Sequence, residues 1–281
     1  MKRDTGLPGA RLALFLLVLL LFAVASPAAY AQDKTLYWQR YDVDLTVQQN
    51  GDLRIVETQE LVFTSGTFRF GQREVLHSRF SDLRDVTVSE LGGPEYQYSE
   101  VDAPYTYRVF YDGGYIKIRY NFPPSADMRR TIVIGYTVTD ALRYYPDTGV
   151  DQLFWKVIPS GNPFPTQSST ITLHLPEPAT FTNYGIYGAD AEAEFRPGQR
   201  DATIRIANSI RAGQEVEVVA EWQHGIVAGQ PAPWQAELDQ AAEARRQEEQ
   251  FRAQWGPVFD LGFMSLGGLL AIGGPVLLYI W

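Results

Sequence analysis

Two carboxylate pairs are the first candidates for chemistry. Asp42 and Asp44 lie two apart, and Glu57 and Glu60 lie three apart. A glycosidase needs two carboxyl groups converging on one bond, one as acid and the other as base or nucleophile. Residues two apart in a strand share a face and residues three apart do not. Asp42 and Asp44 therefore share a face, Glu57 and Glu60 do not, and both pairs read as the polar side of amphipathic strands. Asp147 and Asp151 around Gly149 could form a calcium-binding turn, but they lack the dense D-x-[DN]-x-[DN]-G spacing of a loop site. The three histidines, His77, His174 and His224, fall on different predicted elements, with no H-x-H, H-E-x-x-H or H-x-x-E-H to place two imidazoles on one metal. His174, between Leu173 and Leu175, reads as a solvent-facing strand residue. No G-x-S-x-G, S-x-x-K, Walker loop or G-x-G-x-x-G occurs. No catalytic, cofactor-binding or metal-binding residue is assigned, the binding residues stay unassigned, and the expectation is a protein that is not an enzyme and carries no cofactor.

Composition narrows the partners. The chain has 281 residues, with 33 acidic and 24 basic, a net charge of −9, and no Cys. That removes thiolate metal sites, Cys nucleophiles and disulfide scaffolds, and leaves no polybasic footprint for nucleic acid. The aromatic residues are the most suggestive: Tyr96, Tyr98, Tyr105, Tyr107, Tyr111, Tyr115, Tyr120, Tyr144 and Tyr145 crowd the middle of the chain. Exposed, they would stack on sugars or pack a protein partner; buried, they fill a β-core.

The elements that would position these residues read as strands. Tyr41, Val43, Leu45 and Val47 alternate with polar residues, and Asn50-Gly51 separates them from the run Leu53 to Phe63, which predicts a hairpin. Asp112-Gly113-Gly114 predicts a second, between Tyr105–Tyr111 and Tyr115–Tyr120. Further period-two stretches are Thr131–Val138, Ser169–Leu175, Ala202–Ile206 and Glu215–Trp222. The fold class is mainly β, an antiparallel β-sandwich. A Pro- and Gly-rich joint at residues 159–166 predicts two packed units, a larger one at 36–158 and a smaller one at 167–228. Residues 232–256, rich in Ala, Glu, Gln and Arg, predict a helical stalk whose apolar stripe of Trp234, Leu238, Ala241 and Ala242 fades after two turns.

The two ends set the compartment. Lys2, Arg3 and Arg11 precede the apolar run Leu12 to Ala25, and Ala29-Tyr30-Ala31 follows, the layout of a signal peptide over residues 1–31. Its removal takes away Lys2, Arg3, Arg11 and Asp4, a charge of +2, and leaves −11. At the other end, Leu261 to Trp281 holds 21 uncharged residues, about 31 Å of helix and enough to cross a bilayer. The predicted transmembrane helix covers 258–281, so the β region is expected outside the cell membrane on a single-pass anchor.

Several of these stretches resemble one family. Tyr41-Asp42-Val43 through Asn50-Gly51-Asp52-Leu53-Arg54-Ile55-Val56-Glu57, then Ile134-Gly135-Tyr136-Thr137-Val138, Asp151-Gln152-Leu153-Phe154-Trp155-Lys156-Val157 and Ile171-Thr172-Leu173-His174-Leu175-Pro176 are similar in order and spacing to domain of unknown function 2207. The likeness runs over about residues 36–235 and includes Tyr187-Gly188 and His224-Gly225-Ile226-Val227. It implies a signal peptide, an extracytoplasmic β-domain and membrane spans, with no established activity. The chain departs from the family at Lys156, where Asn usually follows the Trp, and at Asn162-Pro163-Phe164. The expected function is a membrane-anchored binding or scaffolding module of the cell envelope, its partner a protein there. The alternatives are a carbohydrate-binding or carbohydrate-active protein, and a fragment of a longer multi-span membrane protein.

Overall fold

The computed structural model describes residues 34–244 and 247. The predicted signal peptide (1–31), the transmembrane helix (258–281) and most of the distal half of the stalk lie outside the described residues. Among the described residues, no helix is long and apolar enough to cross a membrane.

Three sheets make up the fold. A seven-stranded sheet runs in the order β13 (Ala191–Glu194), β14 (Asp201–Ile206), β11 (Thr170–His174), β1 (Thr35–Val47), β2 (Leu53–Ser65), β8 (Arg129–Thr139), β4 (Asp82–Glu90). One four-stranded sheet has the order β3 (Phe68–Leu76), β7 (Tyr115–Ser125), β6 (Thr106–Asp112), β5 (Gln97–Tyr98). The other has the order β12 (Phe181–Tyr187), β15 (Val216–Gln223), β10 (Val150–Ile158), β9 (Leu142–Tyr145).

Both predicted hairpins form. Strands β1 and β2 pair from Val47↔Leu53 outward across the Asn50-Gly51 turn, and β6 and β7 pair from Asp112↔Tyr115. The connecting Gly113 and Gly114 sit at φ 59° and 85°, the pair of positive values that a two-residue turn needs to match strand twist. Period-two burial then builds the core. Tyr41, Val43, Leu45 and Val47 of β1, Leu53, Ile55, Leu61 and Phe63 of β2, and Ile132, Ile134, Tyr136 and Val138 of β8 are all buried. They pack in one hydrophobic cluster with Ile118, Tyr120 and Phe122 of β7 and with Leu153, Trp155, Val216, Val218 and Trp222 of β10 and β15.

The stretches on either side of residues 159–166 do not keep to separate sheets. Strand β11 pairs in parallel with β1, Val43↔Ile171 through Thr46↔His174, inside the seven-stranded sheet, and β10 pairs with β15 in a four-stranded one. The Pro- and Gly-rich segment is a crossover between sheets, and it carries the chain from β10 along the flank of β1 to β11. Backbone bonds fix it there: Trp38 N donates to the Pro165 carbonyl at 3.0 Å and Gln167 N to the Trp38 carbonyl at 2.8 Å. This parallel pair also departs from the purely antiparallel expectation.

A helix covers residues 233–244 and starts at Pro233, whose missing N–H costs nothing in a first turn. It docks on the domain from its first turn. The Gln235 side chain, buried, accepts from Tyr144 N at 3.0 Å and donates to the Tyr144 carbonyl at 2.9 Å. One amide thus stands in for a neighbouring strand at the open edge of β9. Trp234 Nε1 donates to the Asp140 carbonyl at 2.9 Å and the Tyr145 hydroxyl to Asp239 at 3.1 Å.

Candidate functional site

The inner face of β2 carries two polar residues in an apolar phase. Leu53, Ile55, Leu61 and Phe63 point inward, and so, by the same alternation, do Glu57 and Gln59, both buried. Glu57 is therefore on the buried face of β2, not on the polar strand face expected from its spacing to Glu60. It lies opposite Val43 on one side and Ile134 on the other, with the diagonal neighbours Tyr41 and Tyr136 in reach.

Those neighbours saturate it. Tyr41 donates its hydroxyl to Glu57 at 2.6 Å, Tyr136 at 2.7 Å, Gln59 its amide at 3.0 Å and Arg73 its Nε at 2.7 Å. Arg73 comes from β3, in the sheet packed above, so the ion pair ties two sheets together; its side chain is 4% exposed and that of Glu57 is 0%. A carboxylate offers about four acceptor sites, and all four are spent. Burial works against the charge on Arg73, but Glu57 outweighs it and raises the guanidinium pKa further. Burial also raises the hydroxyls of Tyr41 and Tyr136 well above the ordinary range, keeping them neutral donors.

Above this network lies a cleft of about 480 Å³, within the range of about 300–1,000 Å³ typical of small-molecule sites. It is the seam between the two four-stranded sheets. Its floor is β1 and β2, with Trp38, Tyr41, Gln59 and Leu61; one wall is β3 along its whole length; the other is the crossover from Pro159 to Phe164 with Phe154 and Trp155 of β10. Among the described residues, strand β3 pairs only with β7, so its second edge faces the seam. The indole N–H of Trp155 is buried and has no hydrogen-bond partner among the described residues.

The other candidates from the sequence stand apart. Asp42 accepts from Thr170 N at 2.9 Å and pairs with Arg40 at 2.9 Å; burial raises its pKa. Asp44 instead accepts from Thr172 at 2.7 Å and meets His174 Nε2 at 3.0 Å, while His174 Nδ1 meets Asp201 at 2.6 Å. His174 is thus clamped between the carboxylates of the two strands that flank its own, Asp44 of β1 and Asp201 of β14, rather than simply facing solvent. Burial opposes its protonation, yet the bonds from Asp201 and Asp44 outweigh that and raise its pKa. Glu60 faces out and pairs with Arg129 at 3.2 Å. Asp151 is fully buried and holds His224 Nδ1 at 2.6 Å and Gly225 N at 3.2 Å, fixing the turn after β15, whereas Asp147 is exposed. His77 packs edge-on against Phe80. Of the tyrosines, Tyr96, Tyr120 and Tyr144 are core residues and Tyr98, Tyr105 and Tyr111 are exposed. Among the described residues, no group of three His, Cys, Asp or Glu side chains could hold a metal ion.

The family model described as predicted membrane protein (DUF2207) N-terminal domain matches residues 37–222. No curated protein is significantly similar in sequence. Among solved structures, a putative protease from Parabacteroides distasonis ATCC 8503 superposes at 11% identity and TM-score 0.40, over 66% of this chain and 40% of that one. An M1 zinc metallopeptidase from Deinococcus radiodurans gives 14% and 0.39 over 66% and 42%, and yeast LTA4 hydrolase in complex with bestatin gives 12% and 0.45 over 72% and 32%. The chain therefore spans less than half the length of each, and no activity is carried over from them.

Proposed function

The chain belongs to the DUF2207 N-terminal-domain family of predicted membrane proteins, and from that premise we propose that it is a non-enzymatic binding module, displayed outside the cell membrane on a single-pass anchor, whose ligand site is the seam cleft. The observation that carries this reading is a sizeable apolar cleft over a polar network with no spare valence. Glu57 is spent on four donors. The carboxylates in the lining, Glu74 and Glu215, are held by Lys117 at 3.3 Å and Lys156 at 2.7 Å. A general acid or base needs a proton site within reach of substrate, and these groups are turned to structure instead.

The test is in-cell photocrosslinking of the full-length protein with a benzophenone amino acid at Phe70, a lining residue 46% exposed. The comparison site is Tyr111, 66% exposed and away from the cleft. A molecule captured at Phe70 and absent at Tyr111 is the expected result. Equal capture at both positions, or none at either, refutes the cleft as the site.

A carbohydrate-binding reading has one observation in its favour. On the outer face of the β12, β15, β10 and β9 sheet, Asn183, Glu221 and Gln152 form a hydrogen-bonded row, with bonds of 3.1 and 2.9 Å, beside Phe154 and Tyr187. Rings beside planar polar groups suit sugar stacking. Loss of envelope-polysaccharide pull-down on Tyr187→Ala would favour this face over the cleft.

A further inference from the structure

We propose that the cleft takes an anionic single-chain amphiphile, its apolar tail in the seam and its acidic head at the mouth; this rests on the cleft being a ligand site. The tail follows from the lining. Leu61, Phe63, Phe68, Phe122 and Phe164 supply apolar walls, and the polar groups of the floor are already paired: Gln59 bonds Glu57 and Trp38, and Arg73 bonds Glu57, Tyr136 and the Glu74 carbonyl. Apart from the indole N–H of Trp155, a deep polar group on the ligand would find little to pair with and would lose its own hydration, which buried polar groups do not tolerate. An alkyl chain gains from the same surroundings by leaving water.

The head follows from charge. The chain as a whole carries −9, yet the cleft is lined by Lys34, Arg69, Arg73, Arg79 and Lys156 against only Glu74 and Glu215. Arg73 is neutralised by Glu57, Arg79 by Glu217 at 3.2 Å, and Lys156 by Glu215 at 2.7 Å. Lys34 and Arg69 form no ion pair among the described residues; both are exposed and flank Phe68. An anionic head at that lip would meet two unspent cations in a molecule that otherwise repels anions.

The tests use the full-length protein in phosphatidylcholine nanodiscs with two photoreactive probes of equal chain length, diazirine-palmitic acid and diazirine-palmityl alcohol, the labelled residues mapped by mass spectrometry. The acid should label residues 68–76 and 159–164 in preference to the alcohol. Lys34→Glu/Arg69→Glu, both at exposed positions, should cut acid labelling there about ten-fold, the scale of a few close charge contacts in water, without changing alcohol labelling. Gly161→Trp, at the exposed lip, should exclude both probes. Equal labelling by both probes, untouched by the charge reversal, overturns the anionic head and leaves the cleft as a ligand site. Absence of cleft labelling by either probe overturns the amphiphile. If the Phe70 crosslink then captures an extended peptide, the open edge of β3 is the docking strand and only the present inference falls; if Phe70 captures nothing, the site itself falls.

Discussion

Replacing Glu57 by Gln keeps the shape of the buried network and removes its one negative charge. The change leaves Arg73, 4% exposed, without a counter-charge, and it presents an amide NH₂ to a site where four donors now converge. Breaking one side of a buried ion pair costs about 3–5 kcal/mol. For a domain of this size each kcal/mol lowers Tm by about 2–4 °C, so the expected fall is roughly 6–20 °C. Arg73→Met should lose a comparable amount, because Glu57 is then buried with its charge uncompensated. The double variant Glu57→Gln/Arg73→Met buries neither charge, and its loss should be smaller than the two single losses added together, by roughly 0.5–3 kcal/mol. The assay is thermal and urea unfolding of the full-length protein in nanodiscs, followed by near-ultraviolet circular dichroism, which reports the packing of the tyrosines around the pair. A loss under about 1 kcal/mol for Glu57→Gln, against the range for buried pairs, would refute the reasoning. Simple additivity in the double variant would refute it equally, since it would mean that the two charges do not feel each other.

Three further outcomes follow from the same geometry. His174 has a folded-state pKa above its ordinary value, so the stability it supplies is complete below about pH 6.5, the unfolded value, and is lost as pH rises through the folded one; Tm should fall from pH 6 to pH 8 by more in the wild type than in His174→Gln. Gly51 sits at φ 85° with a Cβ position 2.3 Å from the Ala228 carbonyl, so Gly51→Ala should destabilise by roughly 1–3 kcal/mol, read as a drop in the urea midpoint. Gln235→Leu strips both partners from the Tyr144 backbone; about 1–3 kcal/mol of lost stability and faster amide exchange at Tyr144 are expected, and unchanged exchange there would mean that the helix does not close the β9 edge.

Strand content was legible in the sequence because the signal is local. Alternation at Tyr41–Val47, the Asn-Gly turn and the Gly-Gly turn each act within a few residues, and β1, β2, β6 and β7 form as read. Family membership was legible for a related reason: the order of these short strand segments along the chain is itself the pattern, and the match over residues 37–222 spans them. Part of the site signal was present too. In the run Leu53 to Phe63, Glu57 and Gln59 occupy the phase of Leu53, Ile55, Leu61 and Phe63, and a charge in an apolar phase is a buried charge in want of a partner. Reading Glu57 with Glu60 as a pair three apart hid that parity.

The partner itself was beyond local reading. Arg73 is 16 residues from Glu57 and in a different sheet, and nothing in its immediate neighbours distinguishes it from the exposed Arg69 on the same strand. The same holds for the clamp on His174, whose carboxylates are 130 and 27 residues away, and for the crossover at 159–166, which looks like a linker because Pro and Gly mark both linkers and turns. Alternation and turn residues marked β1, β2, β6, β7, β8, β11, β14 and β15 with the two hairpin turns, since each signal depends on side chains a few positions apart. Which sheet covers which, and so where the cleft opens and which cations line it, came from packing, because those are pairings between segments that the chain holds far apart.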